Sequence, residues 1–413
     1  MANIKKRGNA YLITVSCGYA VDGKQVKQFL TWRPEEGMTK KQIEKEVNRQ
    51  AVLFEESCKQ GQITAAVKFQ DYATDYLTNV APKTLKAGTL ANYKNYSKRV
   101  FLEIGHMRMD KVTPRHIQKF INGMGSEESG GVRLDKYRKG ALSAKTIKNH
   151  IAFVSSIYEY AIKMQVVSAN PCRAVMLPKN KAQELEIYSI EETINVLSLL
   201  YQEDKKNFHF VVYFMLAIYT GFRRGELLGL EFKDIDFNRE IISLNRNSLY
   251  TTERGIFTDS LKTRTSYRTL KLPKEVMAVL EMYKAHQAEQ IEKVGSKWVE
   301  QIKGLNDKMV DNDRLFTKWD GSPMFPNSPS LFFERFCKRK GLTYRKGHSL
   351  RHLNASIQIF AGTDVKTVQM NLGHSTPGTT LNMYTHEFQA AQAASMDKVV
   401  GVLGVPKISN QAV

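Results

Sequence analysis

The sequence predicts a multidomain α+β protein, in which a small domain of β-sheet plus helix is followed by an all-α domain and a mainly helical domain with a small antiparallel sheet. Three observations support this fold class. The chain has 413 residues, enough for two or three domains of roughly 100–200 residues each. Apolar residues make up 42% of it, enough to fill separate cores. The hydrophobic spacing changes along the chain, from strand-like alternation near the N-terminus to helical periodicity afterwards.

The N-terminal domain is predicted over residues 1–62. Residues 10–32 alternate as two strands, and an Asp-Gly pair between the strands is a strong hairpin signal. Thr39 is expected to cap a polar helix that Gly61 ends. Basic side chains surround the strands, so the sheet suits a DNA-binding surface, although a plain accessory domain explains it equally well. These side chains are Lys5, Lys6, Arg7, Lys24 and Lys27.

The helical domain is predicted over residues 67–175. Its apolar side chains recur at helical spacing and are interpreted as core, while lysines and arginines occupy the opposite faces. A glycine-rich charged insertion at 123–140 is expected to form a mobile loop, and Ser143 to begin the next helix. Pro171 and Pro178 bracket an aperiodic linker, which places the main domain boundary just after it. The core stripe residues are Phe69, Tyr72, Tyr76 and Leu77, then Ile147, Ile151, Val154 and Ile157.

The third domain is predicted over residues 183–400. The segment SIEETINVLSLL is typical of a helix, with Glu191 and Glu192 in its first turn. A strongly apolar helix, FHFVVYFMLAIYTG, is expected to end at Gly221. Two short strands, IDFNREIISLN and SYRTLKLP, and a polar helical insertion at 274–303 follow. No repeat of 20–50 residues is present, which excludes solenoid folds.

The charge and the cysteines narrow the class of protein. The net charge is +20 and the isoelectric point is near 9.6. Because this charge is spread over the whole length, it indicates a long polyanion contacted by several domains, with simple solubility as the alternative. The cysteines are far apart and favour a reduced, cytoplasmic protein, and no apolar run is long enough for a membrane span or a signal peptide. They are Cys17, Cys58, Cys172 and Cys337.

The segment 347–386 carries the chemistry. It contains His348, Arg351, His374 and Tyr384, which supply two imidazoles, a guanidinium and a phenol. Cationic groups with a hydroxyl nucleophile suit an anionic centre such as a phosphodiester. Such a set suits Mg²⁺ poorly, because Mg²⁺ requires oxygen ligands. We therefore expect chemistry that needs no metal or other cofactor.

Two upstream segments complete the set. The segment T-G-F-R-R-G-E-L-L places Arg223 and Arg224 where the apolar helix meets a turn, and the position after T-G-F favours Arg223. Lys262 lies in DSLKTRTSYRTLKLP, which is predicted to form a β-hairpin arm ending at Pro273. Arg264 and Arg268 are alternatives to Lys262, because the register of the hairpin is not fixed by the sequence.

The sequence resembles the tyrosine recombinase (phage integrase) family in five features. In chain order these are T-G-x-R-x-x-E-L-L, the hairpin lysine, H-x-L-R-H, L-G-H and Y-T-H. The resemblance covers residues 183–390. The N-terminal half is similar to the three-domain integrases of phages and conjugative transposons, in which a small β-rich domain binds arm-type DNA sites and a helical, SAM-like domain binds the core site. Every position expected to be catalytic in the family is filled: Arg223, Lys262, His348, Arg351, His374 and Tyr384.

The resemblance implies a role for each residue. Tyr384 would attack a DNA phosphodiester to form a 3′-phosphotyrosine and release a 5′-hydroxyl. Arg223 and Arg351 would hold the non-bridging oxygens, on which charge builds in the transition state. Glu226 would orient an arginine or a histidine.

The remaining residues would move or donate protons. Lys262 would protonate the leaving 5′-oxygen, His348 would act as acid and base, and His374 would donate to a phosphate oxygen. Some local alternatives exist. His348 and His352, four residues apart, could be zinc ligands, although no third ligand is evident. The segment ASIQIFAGTDVKTVQMNLGH resembles a helix-turn-helix, which could read a major groove but more simply places His374.

The implied function is site-specific cleavage and rejoining of DNA, to integrate and excise a mobile element. The expected partners are double-stranded DNA at core and arm attachment sites, three further copies of the chain, and an accessory protein that controls excision. The C-terminal tail, around residues 391–413, is expected to dock onto a neighbouring subunit. No membrane partner is expected, and the location is the bacterial cytoplasm. The alternatives are a type IB topoisomerase-like DNA-relaxing enzyme and a non-catalytic DNA-binding regulator.

Overall fold

The structure is a computed structural model, and its chain divides into two compact units, residues 1–182 and 183–413. Each unit has its own hydrophobic core. The division of the chain into three domains, 1–62, 67–175 and 183–400, stays a prediction. The structure describes residues 2–19, 25–35, 37–59, 67–125, 141–179, 186–261 and 263–373.

The first unit begins with a three-stranded antiparallel sheet backed by one helix. The strands are β1 (Asn3–Arg7), β2 (Ala10–Tyr19) and β3 (Gln25–Trp32), in the order β1-β2-β3, and the helix is α1 (Lys40–Lys59). The pairing of β2 with β3 confirms the predicted hairpin, whose turn lies outside the described residues, as does Gly61. Strand β1 was not predicted, because its exposed basic residues show no apolar alternation.

The helix α1 packs on the sheet through a small core of Ile13, Val47 and Ala51. Its start is fixed by the predicted cap. The backbone N–H of Thr39 donates to Gln42 Oε1 at 2.9 Å, and the Thr39 hydroxyl accepts from the backbone N–H of Gln42 at 3.4 Å. This reciprocal pair satisfies donors that the first helical turn leaves free.

The rest of the first unit is helical, and its helices enclose one apolar core. The predicted stripe residues are buried there, apart from Tyr72, which is partly buried against the same core. Ser143 caps the last long helix by accepting from the backbone N–H of Thr146, as predicted. Most of the predicted mobile insertion lies outside the described residues. The helices are α2 (Phe69–Asp75), α3 (Ala81–Thr84), α4 (Ala87–Val100), α5 (Pro114–Gly125) and α6 (Ala144–Lys163), with π-helical segments at Tyr76–Val80 and Phe101–Gly105.

The second unit is mainly helical, as predicted. Its central helix is strongly apolar and is contacted by five other α-helices of the described residues, from both ends of the unit's sequence. Within the described ranges, no helix is long and apolar enough to cross a membrane. The helices are α7 (Ile190–Tyr201), α8 (Phe208–Thr220), α9 (Arg224–Gly229), α10 (Lys274–Val294), α11 (Ser328–Lys340), α12 (His348–Phe360) and α13 (Val365–Leu372), of which α8 is central.

Small antiparallel sheets flank these helices. The strands β4, β5 and β8 form one sheet, while β6 pairs with β7 and β9 with β10. The predicted strand IDFNREIISLN is in fact a hairpin of two strands, with Glu240 at a positive φ of 59° in its turn. The strands are β4 (Ile235–Asp236), β5 (Ile241–Leu244), β6 (Arg246–Thr251), β7 (Gly255–Ser260), β8 (Arg268–Lys271), β9 (Gln301–Lys303) and β10 (Met309–Asp311).

The prediction of a β-hairpin arm around Lys262 is wrong. The strand before this lysine, β7, pairs with β6, whereas the strand after it, β8, pairs with β5. The segment 261–267 therefore connects two different sheets and is not the turn of a hairpin. The sequence misled here because β5 and β8 pair across an inserted β-ribbon, and alternation alone does not identify a strand's partner.

Candidate active site

The candidate site begins at the end of α8. Gly221 ends that helix in the left-handed conformation, with φ of 62°, as the sequence predicted for a glycine at this position. The chain then leaves the helix through Phe222, and Arg223 adopts an extended conformation immediately before α9. Arg224 is exposed to solvent, whereas Arg223 is partly buried and faces Glu226. The geometry therefore favours Arg223 over its neighbour as the functional arginine.

A close contact fixes this turn. A Cβ atom built on Gly221 would lie 2.7 Å from both Asn354 Oδ1 and Leu372 Cδ2. Asn354, on α12, donates through Nδ2 to the carbonyl oxygens of Ile218 and Tyr219 at 2.9 and 3.0 Å. These carbonyls belong to the last turn of α8, which has no helical partner for them. The turn that precedes Arg223 is thus held by α12.

Arg351 lies on α12 and is almost fully buried, with 3% of its surface exposed. Its Nη1 donates to the carbonyl oxygen of Gly221 at 2.8 Å, and its Nη2 donates to the carbonyl oxygen of Leu372, at the end of α13. A guanidinium remains charged under all relevant conditions, so it needs such acceptors when it is removed from water. These bonds connect α12 both to the turn before Arg223 and to α13.

Glu226 is the partner of Arg223. The carboxylate is buried, and its Oε1 accepts from Arg223 Nη1 at 2.8 Å, while its Oε2 accepts from the backbone N–H of Arg223 at 2.9 Å. Arg223 Nη2 donates to the carbonyl oxygen of Gly373 at 3.0 Å. Burial by itself would raise the pKa of Glu226. Hydrogen bonds and charge from Arg268 and Arg223 nevertheless hold this pKa below its usual value.

His348 and His352 lie one turn apart on α12, with ring centroids 4.8 Å apart. Burial lowers the pKa of His348, and the charges of Arg351 and Arg223 lower it further. Burial also lowers the pKa of His352, to about 4, with smaller contributions from His348 and Arg351. Both imidazoles are therefore neutral near pH 7. In the described part of the chain, no cluster of three His, Cys, Asp or Glu residues could hold a metal ion, so the zinc alternative has no third ligand there.

Arg268 was considered in place of Lys262, but its surroundings do not suit a proton donor to a leaving group. Only 7% of its side chain is exposed, and it is bound to Glu226 and to backbone carbonyls. Lys262 itself, His374 and Tyr384 lie outside the described residues, as does the side chain of Arg264. The structure therefore brings together four predicted site residues, namely Arg223, Glu226, His348 and Arg351.

A cavity of about 570 Å³ opens at these residues. Arg223, Arg351 and His348 line it together with Lys346 and Arg224. Apolar and neutral polar residues form the rest of its wall, among them residues of α8 and α11. None of the described residues that line this cavity is Asp or Glu. The cavity is therefore positively charged and suits an anionic group.

The predicted helix-turn-helix is present as α12 and α13, with Gly362 at a positive φ of 83° in the turn between them. Asp364 caps α13 by accepting from the backbone N–H of Thr367 at 3.0 Å. The carbonyls at the C-terminal end of α13 face the arginines, so α13 is part of the scaffold of the site. Sequence reasoning did not identify Asn354, because nothing in the sequence indicates which helix end it contacts.

Comparisons with known proteins give a consistent result. The sequence profile of the phage integrase family matches residues 189–391, and that of the SAM-like N-terminal domain of phage integrases matches residues 68–125. The chain is 29% identical over 409 residues to a tyrosine recombinase XerC-like protein of Caldanaerobacter subterraneus subsp. tengcongensis. This alignment covers 93% of this chain and 94% of the relative. It is 24% identical over 410 residues to the ICEBs1 integrase of Bacillus subtilis, covering 97% of this chain and all of the relative.

Among solved structures, the fold is similar to that of the Tn1549 transposon integrase in complex with a circular intermediate DNA. The TM-score is 0.63 and the sequence identity is 20%, and the similarity covers 81% of this chain and 99% of that one. Both matched profiles describe phage integrases, and the four described site residues lie within the larger match. The chain belongs to the phage integrase family, and it is a tyrosine site-specific recombinase.

Proposed function

We propose that this recombinase cleaves and rejoins DNA through a 3′-phosphotyrosine intermediate, and thereby integrates and excises a mobile element. The observation that carries the proposal is the position of Arg223, Arg351 and His348 around one positively charged cavity. Two guanidinium groups and an imidazole on the same wall suit a phosphodiester in a trigonal-bipyramidal transition state.

The two arginines would stabilise the charge on the non-bridging oxygens. Each already donates to a backbone carbonyl, so its orientation is fixed before DNA binds. Fixed donors stabilise a transition state without reorganising during the reaction, and loss of one such donor typically costs about 10²–10³ in rate. The charge that a metal ion supplies in other phosphoryl-transfer enzymes would here come from these side chains.

His348 would exchange protons as the neutral imidazole. Its lowered pKa keeps it unprotonated near pH 7, as required of a general base. The assignments of Tyr384 as nucleophile, of Lys262 as proton donor to the leaving 5′-oxygen, and of His374 as phosphate donor rest on the sequence. Glu226 would hold Arg223 in place through its two bonds to that residue.

The partners follow from the same proposal. Double-stranded DNA would be bound at its core site by residues 67–175 together with the catalytic domain, and at its arm sites by residues 1–62. Four copies of the chain would act on two duplexes, with the tail at 391–413 docking in trans, in the bacterial cytoplasm. An accessory protein would control excision. The Tn1549 transposon integrase, which has a similar fold, was solved in complex with a circular intermediate DNA, and this supports DNA as the partner.

Covalent trapping tests the proposal. The full chain is incubated with a nicked duplex that carries the end of its element, with chelator present, and the products are separated on a denaturing gel. We expect a protein–DNA adduct that disappears in Tyr384→Phe and persists in Tyr250→Phe, a matched change at a half-exposed tyrosine.

Other outcomes would overturn the proposal. DNA binding without an adduct would favour the regulator, and cleavage that requires Mg²⁺ would contradict the mechanism. A second assay separates recombination from DNA relaxation. If the protein relaxes supercoiled plasmid but never exchanges strands between two duplexes that carry attachment sites, it is a topoisomerase-like enzyme.

A further inference from the structure

Three consecutive carbonyl groups end helix α13, and each accepts a hydrogen bond from a different arginine. Two of the arginines are predicted to be catalytic, and the third is not. The arginines lie far apart in the sequence, on β8, on α12 and just before α9. Arg268 donates to Asn371, Arg351 to Leu372 and Arg223 to Gly373. The residue that follows Gly373 in the sequence is His374.

Arg268 contacts several elements through one guanidinium group. Its Nε donates to the carbonyl oxygen of Asn371 at 2.7 Å, and its Nη2 donates to Glu226 Oε2 at 2.9 Å. Its Nη1 donates to the carbonyl oxygen of Ser266 at 3.1 Å, and its guanidinium lies 4.9 Å from the ring centroid of Phe222. One planar group therefore joins β8, α9 and α13.

Glu226 is shared between Arg268 and Arg223. Both carboxylate oxygens accept from Arg223, one from its side chain and one from its backbone, and Oε2 accepts in addition from Arg268. The side chains of Glu226 and Arg268 are only 2% and 7% exposed. Buried charges in such contact are strongly coupled, so removal of one partner leaves the other with an uncompensated charge.

The space around Arg268 is closely packed. Gly373 ends α13 with a positive φ of 64°, and a Cβ atom there would lie 2.8 Å from Arg268 Nη1 and 3.1 Å from the carbonyl oxygen of Thr265. No side chain larger than glycine fits without displacing the guanidinium. The position of Arg268 and the conformation of the chain at Gly373 therefore depend on each other.

We propose that Arg268 is a positioning residue for catalysis, which holds Glu226 and the last turn of α13 in fixed relation so that Arg223 and Gly373 take up their places together. This inference rests on the proposed function of the site. Arg268 would not touch DNA. It would act through Glu226, which orients Arg223, and through the carbonyl of Asn371. Sequence reasoning considered Arg268 only as an alternative to Lys262, which is a different role.

The test separates DNA binding from cleavage. Arg268→Gln is compared with the wild-type chain for affinity toward the nicked duplex and for the single-turnover rate of adduct formation. We expect affinity within about twofold and a cleavage rate lowered about 10²-fold, the loss typical of a small misplacement of reacting groups. Arg268→Lys keeps the charge but has a single nitrogen for acceptors on three elements, so we expect only partial recovery of the rate.

A matched control removes another buried arginine of the same unit. Arg246 is 12% exposed in its side chain and bound to Glu231 and Asp234, and none of these three residues lines the candidate cavity. We expect Arg246→Gln to lower the melting temperature while leaving the cleavage rate of the folded protein within about threefold of wild type. An equal loss of cleavage in both variants would overturn the proposal, because it would reduce Arg268 to a general stabilising residue.

A double-mutant cycle tests the route through Glu226. If Arg268 acts through that carboxylate, the double variant Arg268→Gln, Glu226→Gln should cleave only slightly more slowly than the slower of the two single variants. If the rate losses of the two single variants multiply in the double variant, this route is contradicted. An unchanged cleavage rate in Arg268→Gln would contradict it as well. These failures differ from failure of the proposed function, in which the wild-type chain itself would form no adduct.

Discussion

Arg351 and Gly221 lie 130 residues apart in the sequence, and the guanidinium of the first donates to the carbonyl oxygen of the second at 2.8 Å. Gly221 opens the turn that places Arg223, so one predicted catalytic arginine fixes the backbone that presents the other. The two side chains predicted to bind the phosphate are consequently not independent. A change that shifts this turn is expected to affect both.

Gly221→Ala should destabilise the second unit and reduce cleavage. The left-handed backbone costs a residue with a Cβ atom about 1–2 kcal/mol, and the new methyl group would lie 2.7 Å from Asn354 and Leu372. We expect a total loss of more than about 3 kcal/mol in the free energy of unfolding. Urea unfolding in a Trp32→Phe background would measure it, because the two other tryptophans, Trp298 and Trp319, lie in this unit.

Gly341→Ala is the matched control for this prediction. Gly341 also ends a helix in the left-handed conformation, with φ of 68°, but a Cβ atom there would meet nothing within 4 Å. We expect Gly341→Ala to lower the free energy of unfolding only by the cost of the left-handed backbone, and to keep full activity. Equal effects of the two substitutions would show that the contact with Asn354 and Leu372 has no consequence.

Asn354→Leu should also destabilise the second unit. The substitution keeps the approximate volume but leaves the carbonyls of Ile218, which is buried, and Tyr219, which is partly exposed, without the donor they have now. An unsatisfied buried acceptor costs about 1–3 kcal/mol, so we expect a loss of at least this size from Ile218 in the same unfolding measurement. Asn238→Leu, at an exposed position of the same unit, should change stability by no more than about 0.5 kcal/mol. A neutral Asn354→Leu would mean that water or backbone movement satisfies the carbonyls.

The second unit should lose stability as the pH falls from about 7 to about 5. Burial, with contributions from His348 and Arg351, holds the pKa of His352 at about 4, whereas an unfolded histidine titrates near 6.5. In this window the unfolded chain binds a proton that the folded chain excludes, so the free energy of unfolding decreases. His209, whose pKa burial lowers to about 4, contributes with the same sign. Below about pH 4 both histidines are protonated in each state, and their contribution becomes constant.

His352→Gln should make this dependence shallower. Unfolding midpoints in urea at pH 7 and pH 5 should lie closer together in the variant than in the wild-type chain. His106→Gln, at an exposed position of the first unit, should leave the difference unchanged. An unaltered difference in His352→Gln would show that this histidine is protonated in the folded chain as easily as in the unfolded one.

The basic face of strand β1 provides a test of DNA binding. Lys5 and Arg7 lie on one face of the strand, and Ile4 and Lys6 lie on the other, where Ile4 packs on the core. If the first face contacts phosphates, Lys5→Gln with Arg7→Gln should reduce the slope of log affinity against log salt by about 1.8, or about 0.9 for each contact. The measurement uses DNA that contains the arm sites. Lys6→Gln should leave the slope unchanged, and equal slopes in all variants would exclude this face from the interface.

Local signals in the sequence predicted the ends of the helices well. Thr39, Ser143, Glu192 and Gly221 all stand where predicted, because a cap is determined by residues within one turn of the helix end. The apolar stripes of the first unit likewise predicted its core, since burial follows directly from periodicity.

Contacts between distant segments could not be predicted in the same way. The pairing of β5 with β8 was missed, and the role of Arg268 was not recognised. Both depend on which segments meet after folding, and composition and spacing do not contain that information. The resemblance to the family predicted which residues face the phosphate, but it did not predict Asn354 and Arg268, which contact the elements that carry them.

The hydrogen bond from Arg223 to the carbonyl oxygen of Gly373 spans 150 residues of the chain. Arg223 and Glu226 are synthesised with α8 and α9, before the carbonyl groups at the end of α13 that bind the arginines. A chain that stops before α13 would keep its basic surfaces but would lack the acceptor that holds Arg223 Nη2.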